Sequence, residues 1–234
     1  MKPVCLVLGA GAGIGGTVAR RFAQEGYHAC LCRRSDADGL KRLVDVIEGD
    51  GNSASGFLLN AVEPGSIEGR VAAIEAEIGP NENVVYNLGA QIGDRALKDT
   101  SAKAFETGWR LGTFGLFRLA SAVCPLMSAR GKGTFLVTSS TAAMRGNGGQ
   151  HSHAAAMGGR RMLCQSLNAE FAPKGIHVVH TVIDGAVDAP DTLGKLLGPE
   201  RFQQLREARG NEHDGLMLPA QIAETYVHLA KQHR

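Results

Sequence analysis

A short apolar segment followed at once by a run of glycines is the feature that most constrains the fold of this 234-residue chain. Val4–Leu8 is apolar throughout, as buried parallel strands are, because helices cover both of their faces. Residues 9–16 then read Gly-Ala-Gly-Ala-Gly-Ile-Gly-Gly, and a helical pattern runs from Ile14 to about Glu25. Glycines between a strand and a helix let the backbone turn sharply and bring the helix N-terminus close to an anion. The opening of the chain therefore predicts a strand–turn–helix unit that binds a phosphate group.

Two glycine spacings fit this run. Gly11, Gly13 and Gly16 have the spacing G-x-G-x-x-G, whereas Gly9, Gly13 and Gly15 have the spacing G-x-x-x-G-x-G. The first strand ends immediately before Gly9, so the tight turn belongs there, and this favours the second spacing. A merely flexible turn is the alternative interpretation. The candidate phosphate-binding residues are Gly9, Gly11, Gly13, Ile14 and Gly15.

Strand and helix patterns alternate along the rest of the chain. Short apolar runs predict five further strands, at residues 29–32, 55–59, 84–86, 134–138 and 177–183. The longest helical patterns cover about residues 112–127 and 152–172, and Pro219 opens a last helix. Such alternation implies a parallel sheet with helices on both faces, and right-handed crossovers favour the doubly wound strand order 3-2-1-4-5-6. We predict one α/β domain of Rossmann type over residues 1–234.

Composition excludes several other classes of protein. The net charge is only +2, and no run of Lys or Arg exceeds two residues, so we expect no nucleic-acid partner. The five cysteines form no Cys-x-x-Cys pair and have no histidine nearby at ligand spacing, so we expect buried thiols and no metal. We find no secretory leader and no window of 18 apolar residues, and therefore expect no membrane segment and a cytoplasmic location.

Arg33 and Arg34 follow the second predicted strand, where proteins that prefer NAD carry an acidic residue. A carboxylate at this point accepts a hydrogen bond from the ribose 2′-hydroxyl and repels a 2′-phosphate, whereas a guanidinium group binds the phosphate. The arginine pair therefore predicts NADP(H) as the preferred cofactor, with NAD(H) as the second choice. An exposed pair on an ordinary loop is the alternative.

Five stretches of the chain together resemble motifs of the short-chain dehydrogenase/reductase family. Residues 8–15 resemble its glycine motif, and residues 86–89 resemble the segment after its fourth strand. Residues 138–140 resemble the end of its fifth strand. Residues 167–178 resemble its passage from active-site helix to sixth strand, and residues 183–187 the stretch after that strand. Asp184 stands where the family has proline. The resemblance covers about residues 3–231 and lacks the family's usual final strand.

The resemblance implies a catalytic serine and further residues of a cofactor pocket. Ser140, at the end of the fifth strand, falls on the serine position, and a serine that caps local backbone is the alternative. Asn87 and Gly89 are expected to shape the wall beside the ribose, although a purely structural role for Asn87 is equally consistent. The other residues implied to contact the cofactor are Asn60, Ala61, Met157 and Val187.

The family's catalytic tyrosine and lysine fall on His153 and Met157. In the family the tyrosine exchanges a proton with the substrate oxygen, and the lysine holds the nicotinamide ribose and lowers the pKa of the phenol. Ser140 lies 13 residues before His153, which is the family's spacing, and the helical asparagine of the proton relay falls at Gly112. Only the serine is retained at these four positions, so the usual tyrosine mechanism is not expected.

His153 is a candidate replacement for the tyrosine. An imidazole titrates near neutral pH and can deliver a proton, and the missing cation at Met157 favours the protonated ring. The alternative is a histidine at the N-terminal end of a helix that lines an apolar pocket. His151, two residues earlier, indicates a polar junction between loop and helix.

Residues 188–217 fall where the family builds its substrate lid. The segment is charged, and its apolar residues at helical spacing are best interpreted as lid packing: Leu193, Leu196, Leu197 and Phe202. The identity of a substrate cannot be read from it.

Two functions remain open. The first is an NADP(H)-dependent oxidoreductase that acts on a small carbonyl or alcohol by an altered mechanism. The second is a cofactor-binding sensor or partner subunit without turnover. The resemblance also implies a homo-oligomer, dimer or tetramer, formed through the two long helices.

Overall fold

A six-stranded parallel sheet forms the centre of the protein. The computed structural model describes residues 1–89, 96–209 and 215–232. Neighbouring strands are parallel and lie in the order β3-β2-β1-β4-β5-β6, which confirms the predicted doubly wound topology. The strands are β1 (Val4–Leu8), β2 (His28–Arg33), β3 (Ser53–Leu58), β4 (Asn81–Tyr86), β5 (Gly133–Ser140) and β6 (Ile176–Ile183).

Helices pack on both faces of this sheet. The longer ones are α1 (Ile14–Gln24), α2 (Ala37–Gly49), α3 (Ser66–Glu77), α4 (Ala102–Trp109), α5 (Gly115–Arg130) and α6 (His151–Phe171). The chain continues with the single-turn α7 (Lys195–Leu197) and ends with two longer helices, α8 (Pro199–Arg209) and α9 (Pro219–Lys231). A π-helical turn, Arg110–Phe114, joins α4 to α5 without a break.

The apolar core has two halves, one on each face of the sheet. In β1, Val4, Leu6 and Leu8 point into the half covered by α3, α5 and α6, whereas Cys5 and Val7 point into the half covered by α1, α2 and α9. This alternation is the two-residue period of a strand, and both faces are apolar because both are buried.

Cys30 and Cys32 lie in the first half of the core, as their spacing on one strand predicted. Burial raises the pKa of both thiols to about 12. The five cysteines are buried and unbridged, so they behave as small apolar side chains rather than as nucleophiles.

The helix predicted over residues 112–127 is wrong at both ends. Helical structure begins at Ala102, where the hydroxyl of Ser101 accepts a hydrogen bond from the Ala104 N–H at 3.2 Å, and it continues to Arg130. Glycines interrupt the apolar spacing in this region, so the sequence pattern becomes regular only after the π-helical turn. The Ser101 cap sets the true start.

One helical stretch bears on the expectation that the chain has no membrane segment. Among the described residues, the helical stretch Ala102–Arg130 passes that test by length and composition, and 50% of its most apolar window is buried inside the fold. Its buried side chains, such as Leu119 and Val123, belong to the first half of the core. Core packing accounts for the buried half of this window.

Candidate active site

The glycine-rich turn follows β1 and is fixed by main-chain contacts. Gly9 has a φ of +93°, which favours glycine, and its N–H donates to the Cys32 carbonyl at 2.9 Å. Asn87 donates from Nδ2 to the Gly9 carbonyl at 3.0 Å, and a Cβ on Gly9 would lie 2.6 Å from the Asn87 carbonyl oxygen. The tight turn is therefore at Gly9, in agreement with the second glycine spacing. The Asn87 amide supports this turn, and a place for Asn87 in the wall beside the ribose remains a prediction.

Two further glycines keep the end of this turn narrow. A Cβ on Gly15 would overlap the Gly9 carbonyl oxygen and lie 2.9 Å from Asn87 Nδ2. Gly13 is the N-cap of α1 and has no side chain to cap that helix, and the Gly16 N–H donates to the Gly11 carbonyl at 2.8 Å. A helix N-terminus that no side chain caps is the arrangement that binds a pyrophosphate in dinucleotide-binding folds. The chain at this point fits a dinucleotide.

A residue that sequence reasoning missed closes over the glycine-rich turn. A Cβ on Gly13 would lie 3.1 Å from Ala189 Cβ and 3.3 Å from Thr192 Oγ1, and a Cβ on Gly11 would lie 3.6 Å from Thr192 Cγ2. The Thr192 side chain thus lies against the glycine-rich turn. No sequence pattern marks it, because it lies beyond the last matching stretch and only the fold brings it there.

The two arginines after β2 have different environments. Arg33 is held by Asp36, with 3.0 Å between Nη2 and Oδ2, and Asp36 also caps α2 by accepting from the Gly39 N–H at 2.9 Å. The hydrogen bond from the Gly39 N–H lowers the pKa of Asp36, and the Arg33 guanidinium lowers it to a smaller extent. Arg34 is exposed and has no ion-pair or hydrogen-bond partner in the described part of the chain. Of the two guanidinium groups, the one on Arg33 is engaged by Asp36 and the one on Arg34 is exposed, and a contact of either with a 2′-phosphate remains a prediction.

The segment after β3 holds Asn60 and Ala61, the other candidates on this side. Asn60 donates from Nδ2 to Glu63 Oε1 at 2.9 Å, and the Ala61 carbonyl accepts from Arg118 Nη1 at 2.7 Å. Arg118 is also paired with Glu68 and lowers the pKa of that carboxyl group. These contacts fix the segment at the carboxyl edge of the sheet, beside the end of β2. A cofactor contact by Asn60 or Ala61 remains a prediction.

The structure brings Ser140 and His153 together. Ser140 ends β5, His153 lies in the first turn of α6, and the Ser140 Oγ is 3.1 Å from His153 Nε2. Both side chains are half-buried, and Ser140 makes no side-chain hydrogen bond that caps the turn following it. A hydroxyl and an imidazole at this distance can share and relay a proton. The alternative of a backbone-capping serine is not what the structure has.

Met157 is directed into the protein. It is 2% exposed, packs with Ala142, Ala143 and Ala156, and receives a weak hydrogen bond from Ser139 Oγ to its sulfur at 3.7 Å. The side chain therefore presents no charge and no polar group at the position where the family has lysine. A contact between Met157 and the cofactor remains a prediction.

Gly112 lies in the π-helical turn and is buried. Its carbonyl accepts from Arg160 Nε at 2.8 Å, and the neighbouring Leu111 carbonyl accepts from the Tyr86 hydroxyl. The position where the family has an asparagine side chain is thus occupied by main chain bound to an arginine. Arg160 is a second residue that sequence reasoning missed.

The predicted lid, residues 188–217, is anchored where its two ends meet. The Asp188 N–H donates to the Met217 carbonyl at 2.9 Å, and the Met217 N–H donates to the Ala186 carbonyl at 2.9 Å. Val187 therefore sits in a short bridge at the base of the segment. Residues 210–214 lie outside the described part of the chain, and the rest comprises the turn Pro190–Gly194 with α7 and α8.

Phe202, one of the four apolar residues predicted to pack in the lid, is buried inside this segment. Phe202 is 5% exposed and lies against Gly194, where a Cβ would be 3.3 Å from the ring, and Asp188 is paired with Arg206. The apolar residue at this position therefore packs within the segment. Across residues 1–89, 96–209 and 215–232, the structure shows no group of three or more His, Cys, Asp or Glu side chains that could hold a metal ion.

Comparison with known proteins agrees with this geometry. The short chain dehydrogenase family profile matches residues 3–195. The short-chain reductase protein NovJ of Streptomyces niveus is 31% identical over 233 residues, which are 98% of this chain and 87% of that protein. The 3-oxoacyl-[acyl-carrier-protein] reductase FabG of Escherichia coli K12 is 30% identical over 189 residues, 81% of this chain and 75% of that protein.

A solved structure supports the fold. A metagenomic short-chain oxidoreductase in complex with NADP superposes with a TM-score of 0.79, at 19% identity, over 99% of this chain and 91% of that one. The profile spans most of the chain, and the strand order and the glycine-rich turn are those that the resemblance implied. The chain belongs to the short-chain dehydrogenase/reductase family of oxidoreductases.

Proposed function

We propose that this protein is an NADP(H)-dependent oxidoreductase for a small carbonyl or alcohol substrate, in which His153 acts in place of a tyrosine. The observation that carries the proposal is the 3.1 Å contact between Ser140 Oγ and His153 Nε2 at the carboxyl edge of the sheet. Ligands of open α/β sheets bind at this edge, where the strands end. An acid–base pair lies where a substrate oxygen would meet the cofactor.

Residues near the carboxyl edge of the sheet would hold the cofactor. The N–H groups at the start of α1 would bind the pyrophosphate and Arg34 the 2′-phosphate, with Thr192 lying against the glycine-rich turn. When bound, NADPH supplies the hydride. Val187 and Gly89 are proposed to flank the nicotinamide end.

The protein's own part in the reduction is proton transfer. His153 delivers a proton from Nε2 to the carbonyl oxygen as that oxygen becomes an alkoxide, and the Ser140 hydroxyl donates a hydrogen bond that orients the oxygen. The carbonyl carbon gains the hydride and the oxygen gains the proton, so the product is an alcohol. In the reverse direction His153 accepts the proton of the alcohol.

The activities of related proteins support a carbonyl substrate and this cofactor. NovJ and FabG are both named as reductases, and the metagenomic oxidoreductase binds NADP. We extend these properties to this chain as part of the proposal, together with a cytoplasmic location. A homo-oligomer through α5 and α6 is also proposed, and the exposed stacked rings of Trp109, Phe114 and Phe117 beside that surface support it.

A cofactor-binding protein without turnover is the second candidate. It is favoured by Met157, which is buried and uncharged, and by Gly112, which offers no side chain to a proton relay. The two candidates share the glycine-rich turn and Arg34, so cofactor binding alone does not separate them.

One experiment on the purified protein separates the candidates. NADPH and NADH are titrated by calorimetry, and NADPH oxidation is then followed against a panel of aldehydes, ketones, quinones and 3-oxoacyl thioesters. We expect tighter binding of NADPH and turnover of at least one carbonyl. Binding without turnover across the panel supports the sensor or partner subunit, and failure to bind either dinucleotide contradicts both.

The Arg34→Ala variant is expected to weaken NADPH binding by about 10- to 100-fold, because a charge-assisted hydrogen bond is worth about 1.5–3 kcal/mol. Affinity for NADH, which has no 2′-phosphate, should not change. Arg33→Ala should have the smaller effect, since Asp36 already holds that guanidinium. Calorimetry with both dinucleotides measures this difference, and equal losses for NADPH and NADH would contradict the assignment of Arg34.

A further inference from the structure

Arg160 is a buried arginine on α6, seven residues beyond His153. Its side chain is 2% exposed, and no carboxylate pairs with it among the residues that the structure describes. Burial lowers the pKa of its guanidinium. A buried charge is costly unless it is fully hydrogen-bonded, so the contacts that keep this arginine inside the fold must be specific.

Those contacts are three main-chain carbonyl groups. Arg160 donates from Nε to Gly112 at 2.8 Å, from Nη2 to Leu88 at 2.9 Å and from Nη1 to Thr138. Its guanidinium carbon lies 5.0 Å from the centre of the Tyr86 ring. Carbonyl oxygens and an aromatic face together replace the water that the charge has lost.

The three carbonyls belong to three different walls of the candidate site. Leu88 lies between Asn87 and Gly89 after β4, and Thr138 lies on β5 two residues before Ser140. Gly112 lies in the π-helical turn between α4 and α5. One side chain therefore ties the ends of two strands and a helical turn to the helix that carries His153.

The π-helical turn itself is shaped around this arginine. The Tyr86 hydroxyl bonds the Leu111 carbonyl, and a Cβ on Gly159 would lie 2.8 Å from Thr113 Oγ1, so α6 and the turn are in close contact. Turns of this kind arise where side chains compete for helix carbonyls, and they recur at functional sites. Met157, one turn before Arg160 on α6, contributes only apolar packing.

We propose that Arg160 is a positioning residue that sets the shape of the nicotinamide end of the cofactor pocket. It acts through the main chain of Leu88, Thr138 and Gly112 and does not touch the substrate. The proposal rests on the proposed function only in that the pocket takes NADP(H). The adenosine end of the pocket, built by the glycine-rich turn and Arg34, makes no hydrogen bond with Arg160 in the described residues. The main chain of Asn87 and Leu88 links the two ends, so the adenosine end should respond less to a change at Arg160.

The test compares a whole dinucleotide with its adenosine half. NADPH and adenosine 2′,5′-bisphosphate are titrated by calorimetry into the native protein and into Arg160→Leu, Arg160→Lys and Arg161→Leu. Arg161 is the matched control, because it is the next residue on α6 and makes none of the three hydrogen bonds.

Arg160→Leu is expected to weaken NADPH binding about tenfold or more, with adenosine 2′,5′-bisphosphate affected less than about twofold. Arg160→Lys keeps the charge but cannot make the three hydrogen bonds, so its affinity for NADPH should lie between those of the native protein and Arg160→Leu. Arg161→Leu should bind NADPH as the native protein does. Equal losses for both ligands would mean that Arg160 supports only global stability. No loss for NADPH would likewise overturn the proposal.

A second measurement keeps the proposal testable without any cofactor. Amide hydrogen exchange should be faster in Arg160→Leu at residues 86–89, 110–114 and 138–140, but unchanged in α3 and unchanged throughout Arg161→Leu. If the native protein bound no NADPH, the proposed function would fail, and this pattern alone would decide the role of Arg160. Uniform acceleration across the chain, or none, would overturn it.

Discussion

His153→Ala is expected to lower kcat/KM for NADPH-dependent carbonyl reduction by about 10²- to 10⁴-fold, the usual contribution of a positioned acid or base. The Ser140 hydroxyl would lose its partner at 3.1 Å, and no other titratable side chain is seen to bond it in the described residues. Affinity for NADPH should change little, because the pyrophosphate and 2′-phosphate are bound at the other end of the pocket. Steady-state kinetics with a carbonyl that responds in the panel, together with calorimetry for NADPH, measures both quantities.

His151→Ala is the matched control for this substitution. His151 lies in the same first turn of α6 but makes no recorded contact with Ser140, so its removal should change kcat/KM by no more than a few-fold. Ser140→Ala should lose less than His153→Ala, since it removes an orienting hydrogen bond and not the proton donor. Full activity in His153→Ala would show that the proton comes from water or from another group.

Gly15→Ala is expected to abolish NADPH binding and to lower the free energy of unfolding by about 1–3 kcal/mol, the usual range for forced overpacking. The new Cβ would overlap the Gly9 carbonyl oxygen and crowd Asn87 Nδ2 at 2.9 Å. These neighbours are main chain and a hydrogen-bonded amide, so neither can move away without opening the turn. Urea denaturation gives the stability change, and calorimetry gives the affinity.

Two other glycines, one in the same turn and one in α3, serve as controls for Gly15→Ala. A Cβ on Gly11 would make an ordinary contact of 3.6 Å with Thr192, so Gly11→Ala should fold with native stability. Gly69 is inside α3 with no atom within 4 Å of a Cβ, so Gly69→Ala should raise stability by about 0.5–1 kcal/mol. A Gly15→Ala protein that binds NADPH as the native protein does would contradict the predicted narrow turn.

The architecture was predictable because its signals are local. A buried parallel strand is a continuous apolar run, and six such runs alternating with helical patterns leave few topologies. The glycine spacing was settled by where β1 ends, at Leu8, which the run of apolar residues marks directly. The placement of Ser140 and His153 at the serine and tyrosine positions was implied by the family resemblance, and the structure brings the two side chains within 3.1 Å of each other.

The remainder depends on contacts between distant parts of the chain. Arg160 and Leu88 are 72 residues apart, and nothing in either local sequence announces their hydrogen bond. The π-helical turn and the true start of α4 depend on such contacts and on one cap, which local apolar spacing does not encode. Arg33 and Arg34 look equivalent in sequence, and only the Asp36 side chain distinguishes them.

The bridge between Val187 and Met217 has a consequence for how substrate preference can change. The two ends of the segment are hydrogen-bonded to each other, so the segment is closed at its base. Each doubling of the length of such a loop adds only about 0.6 kcal/mol to the entropic cost of closing it. Insertions or exchanged sequences between residues 195 and 209 would leave in place both the base of the loop and the contact of Thr192 with the glycine-rich turn. New specificities can therefore be grafted onto this scaffold, or arise in evolution, while the dinucleotide platform stays the same.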